Sequence, residues 1–346
     1  MGFVATPLVP GDLFDAAAKL SEAADAALFR SFDPAARLPI MAAQWQEIAE
    51  LGWPALLVPE AQGGVDGSIS DLVAVMEGAG RAGLCLPLAG ICGVVPALLR
   101  RVGADDLLSR IATGDAVVVP ALSPAAPWTR RADAARIEGV ETLPDATHYL
   151  VALPGPRLVL VGAAGLAVTR HERLDGRASV DLHLQGVQGE TIAEGPALQA
   201  ALDAALNLGA LLVAAEVTAA MGRAIELTIG YLNTRVQFGQ HLGGFQALRH
   251  KVVEMFLGYE MLRSLVGHAV QIADASGEVP WRETALAKLR VKDVGRHIAT
   301  TTIQLHGGMG MTQELAASRL AKRMLMAEFD YGDSGWQAQR LLEAGA

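Results

Sequence analysis

The chain has 346 residues, 51% hydrophobic but only 5% aromatic, and a formal net charge of −9. That length buries a sizeable core in two or three layers, and a core of Ala, Leu and Val favours close-packed helices over sheet. The scattered basic residues form no stripe of the kind a nucleic-acid binder carries, and Cys85 and Cys92 alone make neither a disulfide framework nor a CxxC metal or redox motif.

From the amino terminus, Met1 to Asp12 lacks a basic region followed by an apolar run, so no signal peptide is expected. Leu13, Ala17, Leu20, Ala24 and Leu28 recur at helical spacing. A second helix covers Met41 to Leu51 and stops at Gly52 and Pro54. After a glycine-rich loop from Pro59 to Gly67, Ser68 and Asp71 form a capping box before a helix over Leu72–Gly80. Ala82 to Leu99 is uncharged over eighteen residues, but Gly83, Pro87, Gly90, Gly93 and Pro96 interrupt it, which predicts a loop into a buried helix rather than a membrane span.

The pattern changes at Gly114. Short apolar runs at Ala116–Leu122, Thr147–Leu153, Arg157–Val161, Ala167–Thr169 and Val180–Leu184, parted by Pro, Gly and Asp turns, predict a small β domain. From Pro196 the period is helical again. Leu248, Val252, Phe256, Tyr259 and Leu262 form one stripe, and Val291, Val294, Ile298, Thr302 and Leu305 another, as expected of an antiparallel bundle. The expected domains are thus 1–113 helical, 114–195 β and 196–346 helical.

Two bundle segments combine charge, glycine and fixed spacing. The first is Arg235-Val-Gln237-Phe238-Gly239, with Phe245-Gln246 seven residues on. An arginine at a helix end can grip a phosphate through two parallel hydrogen bonds; a helix junction with a solvated arginine has the same appearance. The second is Gln304-Leu-His306-Gly307-Gly308-Met-Gly310. Its glycines allow close backbone approach, and a helix opening after Thr312 would present amides to an anion; a C-cap turn with a satisfied His306 reads identically.

In this order and at this separation the two segments resemble those of the acyl-CoA dehydrogenase family, as does Leu51-Gly-Trp53-Pro-Ala-Leu-Leu-Val58-Pro59-Glu60…Gly63-Gly64 near the amino terminus. The resemblance implies a mostly α fold with a small β domain: an N-terminal helical domain, a middle β domain and a C-terminal four-helix bundle. It also implies FAD as cofactor, held across a subunit interface. Arg235 would contact the flavin pyrophosphate with Gln237, Phe238 and Gln246 beside it. Gln304 and Gly308 would line the adenosine side, and Gly307 and Gly310 would let the backbone approach. Further implications are an acyl-CoA substrate, an electron-transferring flavoprotein as acceptor, a cytoplasmic location and no metal.

The family reaction is α,β-desaturation, in which a carboxylate takes a proton from Cα while hydride leaves Cβ for the flavin. The family mostly keeps that base in a Tyr-Glu-Gly-Thr segment. This chain reads Asp330-Tyr331-Gly332-Asp333-Ser334: counting forward from Arg319 puts Tyr331 at the catalytic position, and counting back from Gln339-Arg340-Leu341 puts Asp333 there. The other family location falls at or near Ala210, where Asp203 and Glu216 are the nearest carboxylates, each well over a turn away. The flavin-ring segments also depart, reading Ser123-Pro-Ala-Ala-Pro127-Trp128 and Glu141-Thr-Leu-Pro-Asp-Ala-Thr147-His148-Tyr149. A kept phosphate half-site without the ring half-site or base resembles the smaller subunit of heteromeric bacterial acyl-CoA dehydrogenases of steroid and side-chain catabolism. The alternatives are a homo-oligomeric enzyme that uses Asp333 or another base, and a family member that binds an acyl-CoA or a partner without catalysis.

Overall fold

The structure, a computed structural model, describes residues 2–28, 34–122 and 136–345. The first five helices are α1 (Asp12–Leu28), α2 (Leu38–Glu50), α3 (Ile69–Ala82), α4 (Val95–Val102) and α5 (Asp105–Ala112). Helix α3 starts where the expected capping box stands: Ser68 Oγ accepts from the Asp71 amide at 3.1 Å, and Asp71 Oδ2 accepts from the Ser68 amide at 2.8 Å. Such a cap contributes about 1 kcal/mol. The uncharged stretch enters α4 through a π-helical turn, Ala89–Val94, all of it buried. Its apolar character serves the core.

Seven strands follow: β1 (Val118–Ala121), β2 (Arg136–Thr142), β3 (His148–Leu153), β4 (Arg157–Gly162), β5 (Val168–Glu172), β6 (Ala178–His183) and β7 (Glu190–Glu194). They form two sheets, ordered β1-β3-β4-β7 and β2-β6-β5, with only β1 and β3 parallel among the described pairs. Both faces of the first sheet are covered. On β4, Leu158 and Leu160 join a core with α4, α5 and the start of the long sixth helix, while Val159 and Val161 face the main core. Burial on both faces is why β3 and β4 appear as continuous apolar runs. Strands β2 and β7 were not foreseen. A register shift between Ile137 and Val140 breaks the alternation of β2, and β7 is an edge strand in which only Ile192 and Ala193 are apolar.

The rest is helical: α6 (Ala197–Thr234), a hairpin of β8 (Val236–Gln237) and β9 (Gln240–His241), α7 (Gln246–Ser276), α8 (Trp281–His306), α9 (Ala316–Met326) and α10 (Ser334–Glu343). Helix α6 is the one described helix long and apolar enough to cross a membrane, and it is mostly buried by its neighbours. The α8 stripe is buried as expected, from Val291 to Leu305. The α7 stripe needs correction: Met255, Tyr259, Leu262 and Val266 face inward, whereas Phe256 turns out to stack edge-on against Phe3. An amino-terminal strap causes the shift, because it gives the outer face of α7 an apolar partner of its own.

Candidate functional site

An open cleft of about 760 Å³ lies between the end of α6, the β8–β9 hairpin, α7 and the end of α8. It is lined by Arg235, Gln237, Gln304, Gly307 and Gly308, together with Tyr231, Leu242, Leu248, Lys251, Leu305, His306 and Met309. Five residues picked from two distant sequence segments therefore meet in one place, and no carboxylate is among the lining. The size falls within the ~300–1,000 Å³ typical of ligand pockets.

Arg235 stands at the C-cap of α6, its amide bonded to Tyr231 O at 2.8 Å, so its side chain leaves the helix at the cleft mouth. Gly307 adopts φ 60° and ψ −138°, a backbone region almost restricted to glycine. That kink turns the chain out of α8, and a side chain at Gly308 would meet open space. His306 stacks on Tyr231 at 4.6 Å between ring centroids, and its Nδ1 donates to Thr302 O at 2.8 Å. Burial pushes its imidazole below its ordinary pKa, against the opposing Thr302 hydrogen bond. A neutral ring then leaves Nε2 as an acceptor.

Three expected residues are not among the cleft lining. Phe238 sits at the hairpin tip with φ 55°, 88% exposed, edge-on to Phe245. Gln246 is exposed at the first turn of α7, off the cleft lining. Gly310 packs against α8, where a Cβ would lie 2.3 Å from Ile303 O, so its small size serves packing. The helix start expected after Thr312 also shifts. Gly307–Met311 form a 3-10 turn, and α9 begins only at Ala316. Positive charge in the cleft comes instead from Arg235 and from Lys251, which sequence reasoning missed because one lysine on a helix face carries no signal.

The two segments in which a catalytic base is sought meet in space, where the Tyr331 ring packs on Gly209 beside Ala210. A Cβ added at Gly209 would lie 2.4 Å from the Tyr331 ring, and one at Gly90 would lie 2.8 Å from Tyr331 Oη. Tyr331 thus runs from one glycine to the other, with φ 54°, a conformation that costs roughly 1–3 kcal/mol for a non-glycine residue. Beside it remains a void of about 20 Å³, bounded by Pro87, Pro120, Glu141 and Asp330, room for about one water. Buried Lys288 fixes this turn by donating to Ala327 O at 2.6 Å and Glu328 O at 3.3 Å; burial pushes its ammonium down to about 8.

The carboxylates around Tyr331 are engaged. Arg323 on α9 donates to both oxygens of Glu216 (2.7 and 2.9 Å) and to Asp330 (2.7 Å), and lies 3.2 Å from Asp175. Arg173 reaches Asp330 at 2.9 Å and Glu141 at 2.7 Å, and Arg177 reaches Glu216 at 2.5 Å. Three guanidiniums and four carboxylates thereby join β2, the β5–β6 turn, α6 and α9. Burial alone would raise the Asp330 carboxyl; Arg173 and Arg323 outweigh it and hold it well below the usual carboxylate range. Asp333 caps α10, accepting from the Trp336 amide at 2.8 Å. On the β domain, Thr142 Oγ1 pairs with Tyr149 Oη at 3.1 Å, and the Thr147 hydroxyl bonds the Val117 backbone. Ser123 to Trp128 lie outside the described residues.

Comparison with known proteins matches the acyl-CoA dehydrogenase N-terminal domain to residues 12–114 and the acyl-CoA dehydrogenase C-terminal domain to residues 198–345. The chain belongs to the acyl-CoA dehydrogenase family. It is 29% identical over 272 residues to acyl-CoA dehydrogenase IpdE2 of Mycobacterium tuberculosis, covering 78% of this chain and 76% of that protein. Among solved structures, the Tcur3481-Tcur3483 steroid ACAD G363A variant aligns over 95% of this chain and 96% of its own, with TM-score 0.77 and 24% identity. The ChsE4-ChsE5 complex from Mycobacterium tuberculosis aligns over 98% of each chain, with TM-score 0.76 and 19% identity.

Members of this family are FAD-dependent oxidoreductases acting on the CH–CH group of acyl-CoA. The cleft fits the phosphate–adenosine end of that cofactor: two cations, two amide side chains and a glycine turn open to solvent, with no carboxylate to repel an anion. For this acyl-CoA dehydrogenase, Gly209→Ala is expected to lower stability by about 1–3 kcal/mol, because the methyl overlaps the Tyr331 ring. Adding Tyr331→Ala removes the overlap, so a thermal double-mutant cycle should show strong non-additivity. A Gly209→Ala protein that melts like wild type contradicts the packing of Tyr331 on α6.

Proposed function

We propose that this chain is the smaller subunit of a heteromeric acyl-CoA dehydrogenase, completing the FAD site of a base-bearing partner. The observation that carries the reading is the contrast between the two sites. The cleft is open and cationic, while the segments in which a base is sought hold Tyr331 packed on Gly209, beside carboxylates already held by arginine. In the assembly, Arg235 and Lys251 hold the FAD pyrophosphate and Gln304, Gly307 and Gly308 border the adenosine. Held there, FAD would supply the hydride acceptor for α,β-desaturation, and the partner chain would supply the carboxylate for the Cα proton.

The cleft rim supports a partner there. Val236, Phe238, Met309 and Met311 are all exposed around it, with Phe238 held at a strained φ, the kind of apolar patch that marks an interaction surface. The likeness to a steroid ACAD and to the ChsE4-ChsE5 complex supports a heteromeric assembly and a steroid-derived acyl-CoA as substrate. The family resemblance supports an electron-transferring flavoprotein as acceptor and a cytoplasmic setting.

Co-expression with a family chain encoded beside it tests the proposal. Dye-linked acyl-CoA oxidation is expected from the co-purified complex and not from this chain alone. Turnover by the isolated chain would overturn it.

A further inference from the structure

A cavity of about 160 Å³ lies on the β domain, between strands β3 and β4 and the turn that joins β6 to β7, and shares no lining residue with the flavin cleft. Its floor is Val151, Val159 and Val161, all buried, and its walls are Leu153, Leu184 and Val187. The floor follows from the register: Val151 stands opposite Val159, and alternation puts Val159 and Val161 on one face of β4. Gly189 closes the far side. A Cβ there would lie 2.4 Å from Val159 Cγ1 and 2.8 Å from Leu160 O, so glycine is what lets the turn rest on the strand. Two exposed polar residues complete the lining, Arg157 and Thr191. Arg157 precedes Val159 by two residues on the same face of β4, and Thr191 of β7 stands opposite Val159. Neither side chain makes a hydrogen bond or ion pair with another described residue. Glu194, opposite Arg157 in the β4–β7 register, is itself exposed and does not pair with it.

We propose that this cavity binds a monocarboxylate with an aliphatic chain of about six carbons, its tail on the valine floor and its carboxylate on Arg157 at the rim. The size limit comes from the volume. An apolar space of about 150 Å³ stays dry and accepts a benzene-sized group, and 160 Å³ sets nearly the same limit here. The charge comes from the rim. The planar fork of an arginine matches the two oxygens of a carboxylate through parallel hydrogen bonds, and the Thr191 hydroxyl adds a donor beside it. A single guanidinium balances one negative charge, which favours a carboxylate over a phosphate dianion. The remaining six side chains of the lining are aliphatic and no acid is among them, so the site pairs one cation with an otherwise apolar space. A molecule with a charged end and a hydrocarbon tail satisfies both parts at once.

The test is an NMR titration of the full chain, at neutral pH, with straight-chain acids from butyrate to decanoate and with hexanol. Affinity is expected to rise about threefold to fourfold for each methylene up to hexanoate, the scale of one buried CH₂. It should level off beyond hexanoate, where the chain outgrows the cavity. Arg157→Gln should weaken hexanoate roughly ten- to hundredfold, the scale of a lost hydrogen bond to a charged group, and leave the weaker binding of hexanol unchanged. Arg157→Lys should recover part of the loss. Val187→Trp, at an exposed position of the wall, should block both ligands, whereas Arg235→Ala in the flavin cleft should affect neither. Thermal melts confirm folding of each variant, and hexanoate should raise the wild-type midpoint but not that of Val187→Trp. Hexanol binding as tightly as hexanoate, affinity that keeps climbing to decanoate, hexanoate binding untouched by Arg157→Gln, or no hexanoate binding at all overturns the proposal.

Discussion

Arg323→Ala is expected to cost about 3–5 kcal/mol of folding stability. The reason is what the truncation leaves behind. Arg323 is buried and bonds Glu216 through two nitrogens and Asp330 through a third, with Asp175 at 3.2 Å. Removing the guanidinium turns a buried network of three cations and four anions into one of two and four. An exposed pair sets the scale for comparison: breaking Arg100–Asp66, each about half exposed, should cost no more than about 1 kcal/mol. Thermal or denaturant midpoints of the two variants decide, and equal small effects would contradict the buried network. The pH dependence has a fixed sign. The folded pKa of Asp330 is depressed, so its stabilisation is in place above the ordinary carboxylate range and is lost only as pH falls through that depressed value. Wild type should therefore keep this contribution through mildly acid pH.

Arg235→Ala is expected to weaken FAD retention by the assembled enzyme about a hundredfold, with little change in the stability of the chain itself. Arg235 is exposed at the end of α6, and the fold uses its backbone rather than its guanidinium: its amide bonds Tyr231 O and its carbonyl accepts from Leu242 at 2.9 Å. Arg235→Lys should restore part of the affinity, since a point charge attracts the pyrophosphate but cannot make two parallel hydrogen bonds. Flavin content after gel filtration reads the effect directly. Full retention by Arg235→Ala would remove this residue from the cofactor site.

Much of the architecture was legible because burial follows period. The α8 stripe, the capping box at Ser68 and the apolar strands β3 and β4 all carry their pattern locally. What escaped depended on partners distant in sequence. Met255 rather than Phe256 faces the core because Phe3 folds back over α7. Strand β7 pairs with β4 through its backbone, and only Ile192 and Ala193 of it pack against the core, too short an apolar run to read. In the candidate site, Arg235, Gln237, Gln304, Gly307 and Gly308 carried their spacing in the chain and converge as expected. Phe238, Gln246 and Gly310 belong to the same motifs, yet the hairpin tip, the helix face and packing against Ile303 keep them out of the lining. The packing of Tyr331 between two glycines was not legible. Gly90, Gly209 and Tyr331 are far apart in the chain, and only the fold brings them into contact.

The partition of one active site between two chains is tested most directly by counting flavin. The chain purified alone and the chain purified with its partner are denatured, and released FAD is measured against protein. The prediction is no FAD on the isolated chain and one FAD for each pair of chains in the complex. Stoichiometric FAD on the isolated chain would contradict it.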